Sequence, residues 1–327
     1  MTELRINKLP SPTWNFLKVN EAVINWDTPA GKAAVDINAD EIVSAVGGEQ
    51  TDECSDINYA AVTVKLRERS GSVRINITDE GESRAAALSL VSEGDLTAFL
   101  NIGGSGSLIV DVNAKVQSSA KIRLIINQTT SHSGRLVMRM NTDVLSGGTF
   151  EILSFFPGTS GTFVDNNVRL IGNEAILKSK TAYIAGEGEK LDLNYTADQI
   201  GKRTHSDIKL RGALDGTGEK IFRGTIDFKQ GSGGSVGSES ENVLLLSDDV
   251  VNKTLPIILC SEEDISGIHG ATIGDLSDEE LIYFASRGFS KEQVLKMLKN
   301  SICEDFCRDA NDPQTEELAV KRTVSKV

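Results

Sequence analysis

From about residue 60 to 260 the hydrophobic and polar positions alternate with period 2. Val110, Val112, Ala114 and Val116 are interleaved with Asp111, Asn113 and Lys115. Ile122, Leu124 and Ile126 are interleaved with Lys121, Arg123 and Ile125, and Leu136, Met138 and Met140 with Val137 and Arg139. Successive side chains of a strand point to opposite faces, so each run reads as a strand. Strand starts fall near 108, 122, 136, 149, 162 and 175, a step of 13 to 14 residues. Short polar links separate them: Ser118-Ser119, Ser131 to Gly134, Ser146-Gly147-Gly148, Gly158 to Gly161, and Gly172-Asn173. Further strands are expected near 191, 207, 221, 242 and 256. Two architectures fit: an antiparallel sandwich or barrel, and a β-solenoid in which each coil covers the last. Periodicity alone leaves both open, and the even step leans towards the solenoid.

The flanks read differently. Leu9 to Trp14 is a proline-fixed extended entry, with Trp14, Phe16 and Leu17 expected to pack on the chain downstream. Asp36 to Val46 has helical character, ended by Gly47-Gly48. Gly231 to Gly237 is a flexible turn between strands. It lacks the Gly-Lys-Ser/Thr ending of a phosphate loop, and no helix comes after it. Past Gly274, Ser277-Asp278-Glu279-Glu280 and Ser290-Lys291-Glu292-Gln293 are two capping boxes, which predict an αα-hairpin turning at Arg287-Gly288-Phe289. The chain thus divides into a mixed N-terminal region (1–60), a strand core (61–271), a helical end (272–312) and a polar tail (313–327) expected to be disordered.

Composition narrows the function classes. Aromatic residues are only 5% of the 327, so the core rests on Val, Ile, Leu and Ala. A net charge of −13 repels a phosphate backbone and argues against generic nucleic-acid binding. Met1 to Pro10 does not read as a signal peptide, and no apolar run reaches the roughly 20 residues of a membrane helix, so a cytoplasmic protein is expected. On that footing Cys54, Cys260, Cys303 and Cys307 are not expected to form a disulfide framework.

Candidate chemistry is sparse. His132, His205 and His269 are the three histidines, and none is at metal-ligand spacing from another. No Gly-x-Ser-x-Gly elbow precedes a helix, which argues against a hydrolase. Cys303 and Cys307 share a helix face; inward packing, or a place at a partner surface, is favoured over a shared soft metal. Cys260 ends a late strand nine residues before His269. A strand and its return turn could bring thiolate and imidazole together as a partial iron site. His269 is flanked by small residues, Gly267-Ile268-His269-Gly270-Ala271-Thr272.

Asp264-Ile265-x-x-x-His269-Gly270-Ala271-Thr272-x-Gly274, followed by Leu281-Ile282-Tyr283-Phe284-x-Ser286-Arg287-Gly288, resembles the C-terminal signature of SufB and SufD proteins. Arg211-Gly212-Ala213-Leu214 through Phe222-Arg223-Gly224-Thr225-Ile226 is similar to that family's paired strands, and Pro12-Thr13-Trp14-x-x-Leu17-x-x-Asn20 to its proline–tryptophan segment. The resemblance implies a right-handed parallel β-helix with a small C-terminal helical domain. It also implies a scaffold, not an enzyme, for iron–sulfur cluster assembly in the SUF system, with a transient cluster as its cargo. On that reading a SufC-type ABC ATPase docks on the helices through Glu280, Leu281, Tyr283, Phe284, Arg287 and Gly288, and His269 and Cys260 face the metal. The essential cysteine of SufB falls near Glu241, where this chain has none. The flanks of His269, Ile268 and Gly270, are more like SufD. The chain is short for the family, so the second scaffold is either a SufB-like subunit or another copy. No residue pattern here bears on a flavin. Readings from other classes are a solenoid enzyme acting on polysaccharide, which the low aromatic content disfavours, and a purely structural subunit of the complex.

Overall fold

A computed structural model describes residues 2–13, 15–52, 57–67, 69–79 and 81–324. Trp14 and Cys54 lie outside the described residues. The regular strands stack as a parallel β-solenoid of about 8 turns. Each coil contributes one strand to each of two facing sheets. One sheet runs through Ile57–Leu66, Ser83–Ser92, Ser107–Val116, Arg135–Val144, Gly161–Leu170, Lys190–Gln199, Glu219–Phe228 and Val251–Cys260. The other runs through Ser70–Thr78, Asp95–Gly103, Lys121–Gln128, Thr149–Phe156, Ile176–Ala185, His205–Leu214, Ser235–Leu245 and Ile265–Asp275. The expected starts at 108, 122, 136, 149 and 162 fall within one residue of the observed ones. The strand expected near 242 begins at Ser235, because the turn closes within Gly231–Gly234.

Parallel stacking sets the step. In five successive coils one corner repeats a left-handed residue: Ser119, Gly147, Glu174, Arg203 and Gly234 all have positive φ. Their amides donate to the next coil's corner, as Ser119 does to Ser146 and Gly147 to Asn173. Glycine meets this demand at two of the five corners; the others accept a conformation that costs an L-residue about 1–2 kcal/mol. The interior is a stack of aliphatic ladders such as Leu88, Val112 and Met140, all in register and buried.

Outward-facing positions are apolar where something covers them. Ala85, Ile109, Val137 and Phe163 form an outer ladder covered by the N-terminal hairpin Thr2–Ile6/Ala22–Trp26 through Ile6, Ile24 and Trp26. Ile125, Leu153, Phe155 and Ala182, on the other sheet, are covered by two C-terminal helices, Lys291–Ala310 and Pro313–Val324. With the preceding helix Asp278–Ser286 as α1, these are α2 and α3. Phe155 stacks on Phe306 of α2 with ring centroids 5.2 Å apart.

Three expectations are corrected. Asp36–Val46 is not helical: Ala34–Ala39 and Ser44–Asp52 are strands, and Val35, Ile37 and Ala39 pack on the end of the solenoid core. Phe16 is 74% exposed rather than buried against the chain downstream. The polar tail is ordered as α3 up to Val324; Arg322 is buried and donates to Thr130 O at 2.7 Å and Gly158 O at 2.8 Å. The two capping boxes are present, on α1 and α2. Among the described residues no helix is long and apolar enough to cross a membrane.

Candidate functional site

The two ends of the solenoid are treated differently. At the N-terminal end, Ala34–Ala39 and Ser44–Asp52 turn antiparallel to their neighbours and close the stack. At the C-terminal end, Val251–Cys260 and Ile265–Asp275 are the last strands of their sheets. Every residue of Ile265–Asp275 is at least partly exposed, whereas its neighbour Ser235–Leu245 alternates buried and exposed. Two edge strands and an open lumen therefore remain. Unpaired strand edges are templates for another chain.

His269 lies in this mouth. A Cβ on Gly267 would stand 3.2 Å from Ile258 Cδ1 and Phe228 Cε2, so position 267 faces the lumen. With the period of 2, so does His269, while Ile268 (64% exposed) faces out. The register sets Glu239 directly above His269 on the preceding strand. Glu239 is 3% exposed, and its Oε1 has no hydrogen-bond partner. Across the lumen stands Gly224, where a Cβ would be 2.6 Å from Glu239 Oε2.

Glu241, two residues on, is fully engaged. It accepts from Tyr183 Oη at 2.8 Å, Lys220 Nζ at 2.5 Å and Thr254 Oγ1 at 2.6 Å. Lys220 and Glu241 are a completely buried ion pair. Burial lowers the Lys220 pKa, and Glu241 opposes that shift. One ammonium thus faces two carboxylates. The Glu239 carboxyl is pushed up to about 8, first by burial and then by the charge of Glu241, with Lys220 pulling the other way.

This shift carries a pH dependence. Between the ordinary value of 4.5 and about 8, the folded chain keeps a proton that the unfolded chain has released. The resulting stabilisation is complete below the unfolded value and is lost as pH rises through the folded one, by at most about 1.4 kcal/mol per pH unit. Glu239→Gln is expected to match the wild type near pH 5 and to exceed its stability near pH 8. Denaturant midpoints at the two pH values check this; an unchanged difference between them contradicts it.

Cys260 is exposed at the same mouth but does not meet His269 within one chain. Ile258 faces Gly267, so Cys260 and His269 lie four residues apart along the strands, about 13 Å. Among the described residues, no three His, Cys, Asp or Glu side chains converge as a metal site. Cys303 and Cys307 pack inward beneath α2, their sulfurs 3.9 Å apart. His205 is exposed, and His132 pairs with Glu189 at 2.8 Å, away from the mouth.

Beside the mouth, α1 has no buried residue. The predicted docking residues divide by role. Glu280 accepts from the Ser277 amide at 3.0 Å and hydroxyl at 2.8 Å, closing the cap, and Gly288 (φ 87°) ends the turn. Leu281 and Phe284 are half-buried. Tyr283 is 53% exposed, with the Arg287 guanidinium 4.2 Å from its ring centroid. Ile282, at 69%, is the most exposed apolar side chain of the helix, and the signature residues alone do not single it out.

The family model described as SUF system FeS cluster assembly, SufBD core domain, matches residues 92–302. An iron–sulfur cluster assembly SufBD family protein of Mycobacterium tuberculosis is 23% identical over 281 residues, covering 85% of this chain and 32% of that protein. A SufBD family protein of Staphylococcus epidermidis is 24% identical over 233 residues (71% and 49%). The iron–sulfur cluster assembly protein SufD of Bacillus subtilis is 28% identical over 139 residues (42% and 31%). The chain spans less than half the length of each of these relatives.

Proposed function

The chain belongs to the SufBD family of the SUF iron–sulfur cluster assembly system, and on that premise we propose that it is a scaffold whose open solenoid end is the assembly face. The observation that carries this reading is the unsealed terminal coil. A solenoid normally needs a polar cap for solubility. Here the last two strands instead expose their edges, along with Ile268, Ile273 and Val251. A second solenoid end, from a SufB-like subunit or another copy, completes the face by edge pairing. His269 and Cys260 both lie on it. The separation of about 13 Å between them makes them donors to a shared cluster only with ligands from across the interface. Iron and sulfide are the cargo, and the chain orients them as a scaffold rather than a catalyst.

The second part of the proposal is that a SufC-type ABC ATPase docks on α1. A helix that exposes Ile282 and Tyr283 and has no buried residue of its own, with Phe289 exposed in the turn after it, fits insertion into a partner groove. Ile282→Asp is expected to cut capture of the ATPase at least tenfold, while changing stability by no more than about 0.5 kcal/mol. Affinity capture with purified ATPase, beside a thermal melt of each variant, reads both quantities. Undiminished capture contradicts α1 as the dock.

A further inference from the structure

We propose that Glu239 is a metal ligand, forming with His269 a carboxylate–imidazole pair that holds a ferrous ion at the open end of the solenoid. This deepens the assembly reading and rests on it. Three independent features of the terminal coils carry it. First, Glu239 is only 3% exposed, and its Oε1 accepts no hydrogen bond. Buried carboxylate oxygens are rarely left without a partner, and one that is calls for a ligand or ion to explain it. Second, the register puts His269 on the same lumen face one strand below, about 4.8 Å away across the ladder. Third, Gly224 leaves the far side of the lumen open to the carboxylate in its present position, since a Cβ there would stand 2.6 Å from Glu239 Oε2.

The neighbours do not compete for this role. Glu241 is committed to Tyr183, Lys220 and Thr254, and Lys220 to Glu241 and Thr254. Pro256, opposite His269, offers no side-chain donor. One carboxylate oxygen and one imidazole nitrogen suit ferrous iron, which accepts mixed nitrogen and oxygen ligands. With only two protein donors from this chain, the remaining positions stay open to sulfide, water or a partner's ligand. A site that must receive sulfide and later release its cluster requires that openness.

The test is anaerobic titration of the full chain with Co(II), a spectroscopic stand-in for Fe(II), followed by its ligand-field absorption. Circular dichroism establishes that each variant is folded. Wild type is expected to bind one equivalent. Glu239→Gln and His269→Ala are each expected to weaken binding at least tenfold. The double variant should be within twofold of the weaker single, because both residues act on one ion. Glu239→Asp, which keeps the carboxyl group and withdraws it by one methylene, should fall between wild type and Glu239→Gln. A wild type that binds no Co(II), or a Glu239→Gln variant within twofold of it, overturns the proposal. If that variant also builds clusters with the ATPase, the assembly reading stands without Glu239. A chain whose Co(II) binding needs Glu239 but that never supports a cluster keeps the pair and loses the assembly reading.

Discussion

Replacing Asp192 with alanine is expected to destabilise the protein by about 3–5 kcal/mol, the range for removing one partner of a buried ion pair. Arg223 is fully buried on the outer face of its sheet and pairs with Asp192, itself 2% exposed. Its Nε also donates to Val19 O at 2.5 Å, and Asn7 Nδ2 donates to Asp192 Oδ1 at 2.5 Å. The pair is therefore the anchor by which the N-terminal segment straps the solenoid, with Lys253 adding a bond to Leu17 O at 3.0 Å. Without Asp192 the guanidinium is buried with its charge uncompensated. Chemical denaturation measures the loss, and limited proteolysis should cut first between residues 7 and 20. A loss below about 1 kcal/mol would mean that the segment does not depend on this pair.

Lys220→Met carries the second large effect. It preserves most of the side-chain volume but leaves the buried Glu241 carboxyl without its ammonium partner, at an expected cost of about 3–5 kcal/mol. The companion change Glu241→Gln should restore most of that loss, since the double variant has no buried charge at this pair, and the Gln oxygen can still accept from Tyr183 while its nitrogen donates to the Thr254 hydroxyl. Urea midpoints of the two singles and the double close the cycle. Additive losses would show that the pair is not coupled. The outcome bears on function because this pair supports the floor of the mouth. Thr254, which bonds Glu241, belongs to the terminal strand Val251–Cys260.

Much of this architecture is legible in the sequence, for identifiable reasons. The strand step is set by the length of strand plus corner, which is a local property, so the starts near 108 to 162 can be counted off. The two helices after Gly274 announce themselves through capping boxes. What escapes are features that exist only between coils. The polar tail forms α3 because a ladder from separate coils presents Ile125, Leu153 and Phe155 to the helices, and because carbonyls of Thr130 and Gly158 receive Arg322. Ala34–Ala39 becomes a strand because the end of the stack offers an edge, overriding local helical character. The pairing of His269 with Cys260 relies on nearness in sequence, which the register turns into separation along the strands. The counterpart signal is present in the sequence: Glu239 advanced by one coil, 30 residues, lands on His269.

The scaffold reading is tested most directly by anaerobic reconstitution of the chain with iron and sulfide, together with its ABC-type ATPase. Cluster formation is followed by absorption and by transfer to an apo acceptor protein. Wild type is expected to build a labile, transferable cluster, and His269→Ala to lose most of it while still capturing the ATPase. A His269→Ala complex that builds and delivers clusters as well as wild type, or a wild-type complex that never holds one, would contradict the open end of the solenoid as an assembly face.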